Sequence, residues 1–185
     1  MNYTLPTSQK LGGIEYEIRS DFRAVLDICA ALNDPELSDR EKAEVALMIF
    51  YPAFETIPQE SLEEALKACF TFISCGEEDV NTGKRQPKLM DWEQDFRHIV
   101  PAVNRVLGQE IRAMPYLHWW TFIGAYNEIG DCLFAQIVSI RSKKAQGKRL
   151  EKHEQEWYRK NRALIDFKQV YTENEKDMLA ALGIK

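Results

Sequence analysis

Residues 115–131, PYLHWWTFIGAYNEIGD, form the most apolar and aromatic stretch of this chain, and Leu133, Phe134, Ile137 and Ile140 continue it at helical spacing. Apolar side chains that recur every three to four positions fall on one face of a helix, so the pattern predicts two short helices that break near Gly130. Asp131 reads as the N-cap of the second. The longest run without a formal charge, Ala113 to Asn127, is shorter than the roughly 20 residues needed to span a bilayer. These aromatics are therefore expected to pack on other helices, at the centre of a core.

Upstream, Trp92, Phe96, Ile99, Val100, Val103 and Leu107 repeat at helical spacing from Asp91 to Gly108, and Pro101 inside that stripe predicts a kink or an early break. Three earlier helices carry their own end signals. Asp21 caps a run with Phe22, Val25, Leu26, Cys29 and Leu32, which stops near Pro35. Ser38 and Glu41 form a capping box ahead of Ala43, Ala46, Leu47 and Phe50. Pro58 opens and Gly76 closes a third stripe, made by Leu62, Ala65, Leu66, Cys69, Phe70 and Ile73. Ahead of these, Gly12-Gly13 followed by Ile14, Tyr16 and Ile18 alternating with Glu15, Glu17 and Arg19 predicts a small hairpin with one apolar face. The expected fold is mainly α, a single-domain helical bundle over residues 1–185 with a small N-terminal β-hairpin. Its parts are the hairpin (1–20), a helical half (21–75), an exposed loop (76–90), an aromatic helical half (91–167) and a C-terminal tail or short helix (168–185). One domain is preferred to two because neither half exceeds about 100 residues and each has apolar stripes to cover.

The chain has 185 residues and 21.5 kDa, with 45% hydrophobic and 29% charged residues, which excludes a disordered tail or a disulfide-stapled mini-protein. Cys29, Cys69, Cys75 and Cys132 stand singly among apolar neighbours and read as reduced core thiols, as expected in a cytosol. Residues 1–20 contain no apolar run of the secretory kind, and neither a signal peptide nor a membrane anchor is expected. The net charge is −5, the wrong sign for a protein that coats nucleic acid with its whole surface. The charge is segregated: residues 1–140 hold 12 Lys+Arg against 22 Asp+Glu, whereas Arg141 to Arg162 holds nine Lys+Arg against three Glu.

Motifs with defensible chemistry are absent, including phosphate-binding glycine loops, nucleophile elbows, HExxH and CxxC. The three histidines, His98, His118 and His153, match no zinc signature. No catalytic residue, metal ligand or cofactor is assigned, and no enzymatic activity is expected. His118, beside two tryptophans, reads first as a hydrogen-bonded core residue and second as a general base. Glu128 and Asp131 could do acid–base work or bind a hard cation, but Asp131 is more simply a cap. The basic segment has three readings: a solvated face paired with Glu151, Glu154 and Glu156, a handle for an acidic protein surface including a second copy, or a nucleic-acid contact aided by Trp157 and Tyr158. The acidic balance of the whole chain argues against the last.

The stretches GIEYEIRSDFR, DPELSDREKAEVALMIFYP, YLHWWTFIGAYNEIGD, SIRSKK and WYRKNRALIDF, in this order, resemble the bacteriophage "gene product fifteen" family of siphophages and Gram-positive prophages. The resemblance runs from about Gly13 to Phe167, and its most distinctive part is YLHWW followed by IRS and WYRK. The loop from Gly76 to Met90 and the tail after Phe167 lie outside it. Because that family is encoded beside the tail-assembly chaperone and tape-measure genes, the resemblance implies a tail-morphogenesis role in the host cytoplasm. The expected function is a chaperone-like factor that binds the tape-measure protein, with other tail proteins and self-association as further partners. A structural tail component and a nucleic-acid-binding protein are the alternatives. The family supplies no catalytic residues to carry over. Candidate partner contacts are Trp119, Trp120, Phe122 and Tyr126, for an apolar groove, and Arg141, Lys143, Lys144, Lys148 and Arg149, for charge.

Overall fold

A computed structural model describes residues 4–77, 87–169 and 171–182. The central part of the loop expected at 76–90, residues 78–86, lies outside the described residues. The described chain is mainly α with an N-terminal antiparallel hairpin, and it divides into two compact units. Residues 1–79, 118–120 and 169–185 make the first, and 80–117 with 121–168 make the second.

In the first unit, β1 (Ser8–Leu11) pairs with β2 (Ile14–Glu17). Gly12 and Gly13 adopt φ of +53° and +91°, as a two-residue turn of the primed type requires at both central positions. Leu11, Tyr16 and Ile18 point inward, but Ile14 is 58% exposed, so the apolar face is shorter than the alternation predicts. Helix α1 (Phe22–Asn33) starts where Asp21 accepts from the Arg23 N–H, and α2 (Asp39–Phe50) starts at the Ser38–Glu41 capping box. Helix α3 (Leu62–Ile73) is preceded by a 3-10 turn, Gln59–Ser61. Its buried residues are Ala65, Cys69 and Phe72, and Phe70 is exposed. Ala65 and Cys69 lie on the predicted stripe, while Phe72 rather than Phe70 turns inward, where it meets Phe50 of α2. In α1, likewise, Ile28 is buried where the sequence pointed to Cys29 and Leu32. Burial pushes the Cys29 thiol up to about 11 and the Cys69 thiol up to about 12, so both stay protonated and unreactive near neutral pH. A short helix, Glu173–Ala181, also belongs to this unit.

In the second unit, α4 (Trp92–Leu107) is opened by Asp91 and closed by left-handed Gly108. It continues through Pro101 rather than breaking there. The proline ring faces solvent, while Ile99, Val100, Ala102 and Val103 around it are buried, and that burial outweighs the missing hydrogen bond. Helix α5 (Trp119–Asn127) contributes its first two residues to the first unit and the rest to the second. It is followed by α6 (Leu133–Ala145), α7 (Lys152–Lys160) and α8 (Arg162–Ile165), with α9 (Glu173–Ala181) last in the chain. The N-cap of α6 is Cys132, whose Sγ accepts from the Ala135 N–H; Asp131, expected in that role, is exposed one residue earlier. Ile137, Ile140 and Ile165 form an apolar cluster with Leu150, Trp157, Tyr158 and Leu164 around it. Among the described residues no helix is long and apolar enough to cross a membrane.

Candidate partner-binding site

In the first unit the HWW triplet is tied to its surroundings by hydrogen bonds. His118 is buried; its Nε2 lies 2.9 Å from the Pro6 carbonyl, and its Nδ1 accepts the Trp120 backbone N–H. This pattern puts the ring proton on Nε2 and leaves neither nitrogen available as a base. The Trp119 indole donates to the Ile73 carbonyl and the Trp120 indole to the Phe72 carbonyl, each at 2.8 Å. The first caps the Ile73 carbonyl at the end of α3, and the second adds a donor to the Phe72 carbonyl, which also accepts the Cys75 N–H. Trp119 is buried, and Trp120 stacks on the Phe72 ring at 5.8 Å. Both tryptophans therefore hold the first unit together rather than stand free for a partner.

In the second unit, Phe122 is fully buried against Trp92, and Tyr126 sits between Trp92 and Phe134, at ring separations of 5.2 and 6.0 Å. Tyr126 also lines an open, mainly apolar groove of about 500 Å³, with Leu89, Ile129, Phe134, Ala135 and Val138 as its apolar wall and Asn127, Ser139 and Ser142 as polar members. Burial, and then the Asp95 carboxylate, raise the Tyr126 phenol, so it lines the groove as a neutral group. Of the four aromatics expected at the site, Tyr126 is the one in this groove. Five of its lining residues come from α6: Phe134 from the predicted stripe, and Ala135, Val138, Ser139 and Ser142 from outside it. Periodicity alone gave no reason to prefer those four.

Arg141, expected as a surface charge, is buried, and the structure corrects that reading. Its guanidinium pairs in a fork with buried Asp95, Nη1 to Oδ2 at 2.5 Å and Nη2 to Oδ1 at 3.0 Å. Nε donates to the Ile165 carbonyl, and the remaining Nη hydrogens reach the Leu89 and Leu164 carbonyls. All five guanidinium N–H groups are thus used, and the Phe167 ring lies 4.0 Å below the guanidinium carbon. One side chain fastens α4, the segment before it and the end of α8 to α6.

Lys143 of α6 pairs with Glu154 of α7 at 2.5 Å, eleven residues away rather than the three or four of a pair along one helical face. Lys144 meets Asp166 and the Tyr158 hydroxyl, each at 2.6 Å, and Arg162 donates to Asp166 as well. Lys148 and Arg149 are exposed. Burial acts to raise the Asp166 carboxyl, but hydrogen bonds from Lys144, Arg162 and Tyr158 outweigh it and hold it at about 2. A carboxyl depressed below its ordinary 3.8 stabilises the fold above about pH 4 and loses that contribution as the pH falls towards 2. For a side chain one-third exposed the effect after solvent screening is on the order of 1 kcal/mol. Urea midpoints at pH 5 and pH 2.5 are expected to differ less in Asp166→Asn than in the unmodified protein; equal differences in both would remove Asp166 from the acid response.

Glu128 and Asp131, the candidate carboxylate pair, are both exposed. The Arg105 guanidinium donates to the backbone carbonyls of Ile129 and Asp131. His98 accepts from the Arg97 Nε, and burial followed by the Arg97 charge pushes its imidazole down. Among the described residues no three His, Cys, Asp or Glu side chains gather in a way that could hold a metal ion.

The family profile described as Bacteriophage Gp15 protein matches residues 1–167. The chain belongs to the bacteriophage Gp15 family. The match ends at the residue where the sequence resemblance stops, Phe167, directly after the segment that Arg141 holds in place. Searches of curated proteins and of solved structures return no match. The Gp15 chain is thus a phage protein by family.

Proposed function

We propose that this Gp15 protein is a non-enzymatic tail-assembly factor of the chaperone type, which binds an amphipathic helix of the tape-measure protein in the host cytoplasm. The observation that carries the reading is the open apolar groove beside Tyr126, Phe134 and Val138. An apolar trough with a polar rim suits a helix that inserts side chains at i, i+4 and i+7 and leaves its polar face in water. A tape-measure protein is long and helical, and its apolar stripes need cover until tail-tube subunits surround it.

The test is co-expression with the tape-measure protein of the same phage, followed by affinity capture and measurement of soluble client. Val138→Arg and Ser142→Arg place a charge in the groove from residues that are not fully buried, and either change is expected to weaken capture about tenfold or more. Capture that both variants leave unchanged would reject the groove as the binding site. A client that stays insoluble would reject the chaperone reading itself. A structural tail component is the competing reading, favoured if purified virions contain this chain in stoichiometric amount.

A further inference from the structure

The division into units keeps the charge separation seen along the sequence. The first unit carries 8 Lys+Arg against 19 Asp+Glu, net −11, and the second carries 16 against 10, net +6. Residues 118–120 and 169–185, which interrupt any simple front-to-back division, fall on the side that keeps this separation. Within the second unit the excess gathers around the turn from α6 to α7 and along α7. Lys148, Arg149, Lys152, Arg159 and Lys160 are all exposed there, whereas Lys143 and Lys144 spend their charge on Glu154 and Asp166. With exposed Glu151 and Glu156 among them, the five leave a basic face of net +3 beyond what Lys143 and Lys144 use in pairing.

We infer that this basic face is an interface between copies of the chain, docking on the acidic first unit of a neighbouring molecule. The argument is charge complementarity. A face of net +3 finds its largest opposite partner in the −11 unit that every other copy displays, and opposed potentials steer encounter and fix orientation. Nucleic acid is the weaker candidate, because the chain as a whole carries a net charge of −5, the wrong sign for a phosphate backbone. Because the two docking surfaces differ, the contact is heterologous: each added copy leaves one face of each sign open, unless the arrangement closes. The inference does not depend on the groove or on any client.

The test is sedimentation or light-scattering mass of the full-length protein without client, over a range of concentrations, in about 50 mM and about 500 mM NaCl. The expected result is a mass that rises above 21.5 kDa with concentration in low salt, with association weakened at least about tenfold in high salt, where screening shortens the reach of surface charge to a few ångströms. The triple variant Lys148→Glu, Arg149→Glu, Lys152→Glu is expected to remain monomeric in low salt. Its residues are solvent-exposed, so circular dichroism and melting temperature should match the unmodified protein. A monomer at all concentrations in low salt would overturn the proposal. So would association that the triple variant retains, or a nuclease-sensitive absorbance at 260 nm that accounts for the added mass. A variant with altered circular dichroism is replaced by Arg159→Glu, Lys160→Glu, on which the same outcomes decide.

Discussion

Arg141→Ala is expected to lower the unfolding free energy by about 3–5 kcal/mol, the cost of leaving a buried charge without its partner. Asp95 is fully buried and keeps only the Asp91 N–H when the fork is removed, while the carbonyls of Leu89, Leu164 and Ile165 lose their donors. Arg141→Lys should recover little, since an ammonium on a flexible stem cannot reproduce the planar fork or the packing on Phe167. The double change Asp95→Leu, Arg141→Met removes both charges together. It is expected to cost at least about 1 kcal/mol less than the two single changes added, which a double-mutant cycle in urea measures. An Arg141→Ala protein with an unchanged midpoint would mean that water reaches the pair and that it does not hold the second unit together.

Phe72→Ala carries a comparable expectation, about 3–5 kcal/mol for a large aromatic removed from a packed site. The ring is 1% exposed and lies among Phe50, His118 and Trp120 at centroid separations of 5.2, 5.5 and 5.8 Å. Its loss would also loosen the stack that positions Trp120, so a change in tryptophan fluorescence should accompany the loss of stability. Phe70→Ala, two residues earlier, removes a ring that is 41% exposed and is expected to shift stability by no more than about 0.5 kcal/mol. Chemical denaturation of the two variants side by side decides which face of α3 is inside; equal losses would refute the assignment.

The two variants also show how much the sequence conveyed. The third helix was legible from Pro58, Gly76 and its apolar spacing, but Phe70 and Phe72 both fit a helical stripe. Choosing between them requires knowing from which side α1, α2 and the HWW triplet approach. Asp95 and Arg141 left a signal that the charge count concealed. Each occupies a position on an apolar stripe, Asp95 four residues before Ile99 and Arg141 four after Ile137. A charge at such a position calls for a partner of opposite sign, but the partner lies 46 residues away, beyond the reach of any local rule. The groove was half legible: Tyr126 was named, while Val138 and Ser142 were not, because α6 is amphipathic on a flank that only its neighbours reveal.

By itself the sequence determined where most elements begin and end. The Asp21 cap, the Ser38–Glu41 box, the Gly12-Gly13 turn and the Gly108 stop depend on hydrogen bonds and backbone angles within a few residues. Such local terms are the same whatever the rest of the chain does. Tertiary structure alone decided which faces are buried, that Arg141 is an internal fastening rather than a surface charge, and that His118, Trp119 and Trp120 belong with residues far away in sequence. These outcomes rest on burial and on pairing between distant segments, whose energies depend on which surfaces meet rather than on what stands next in the chain.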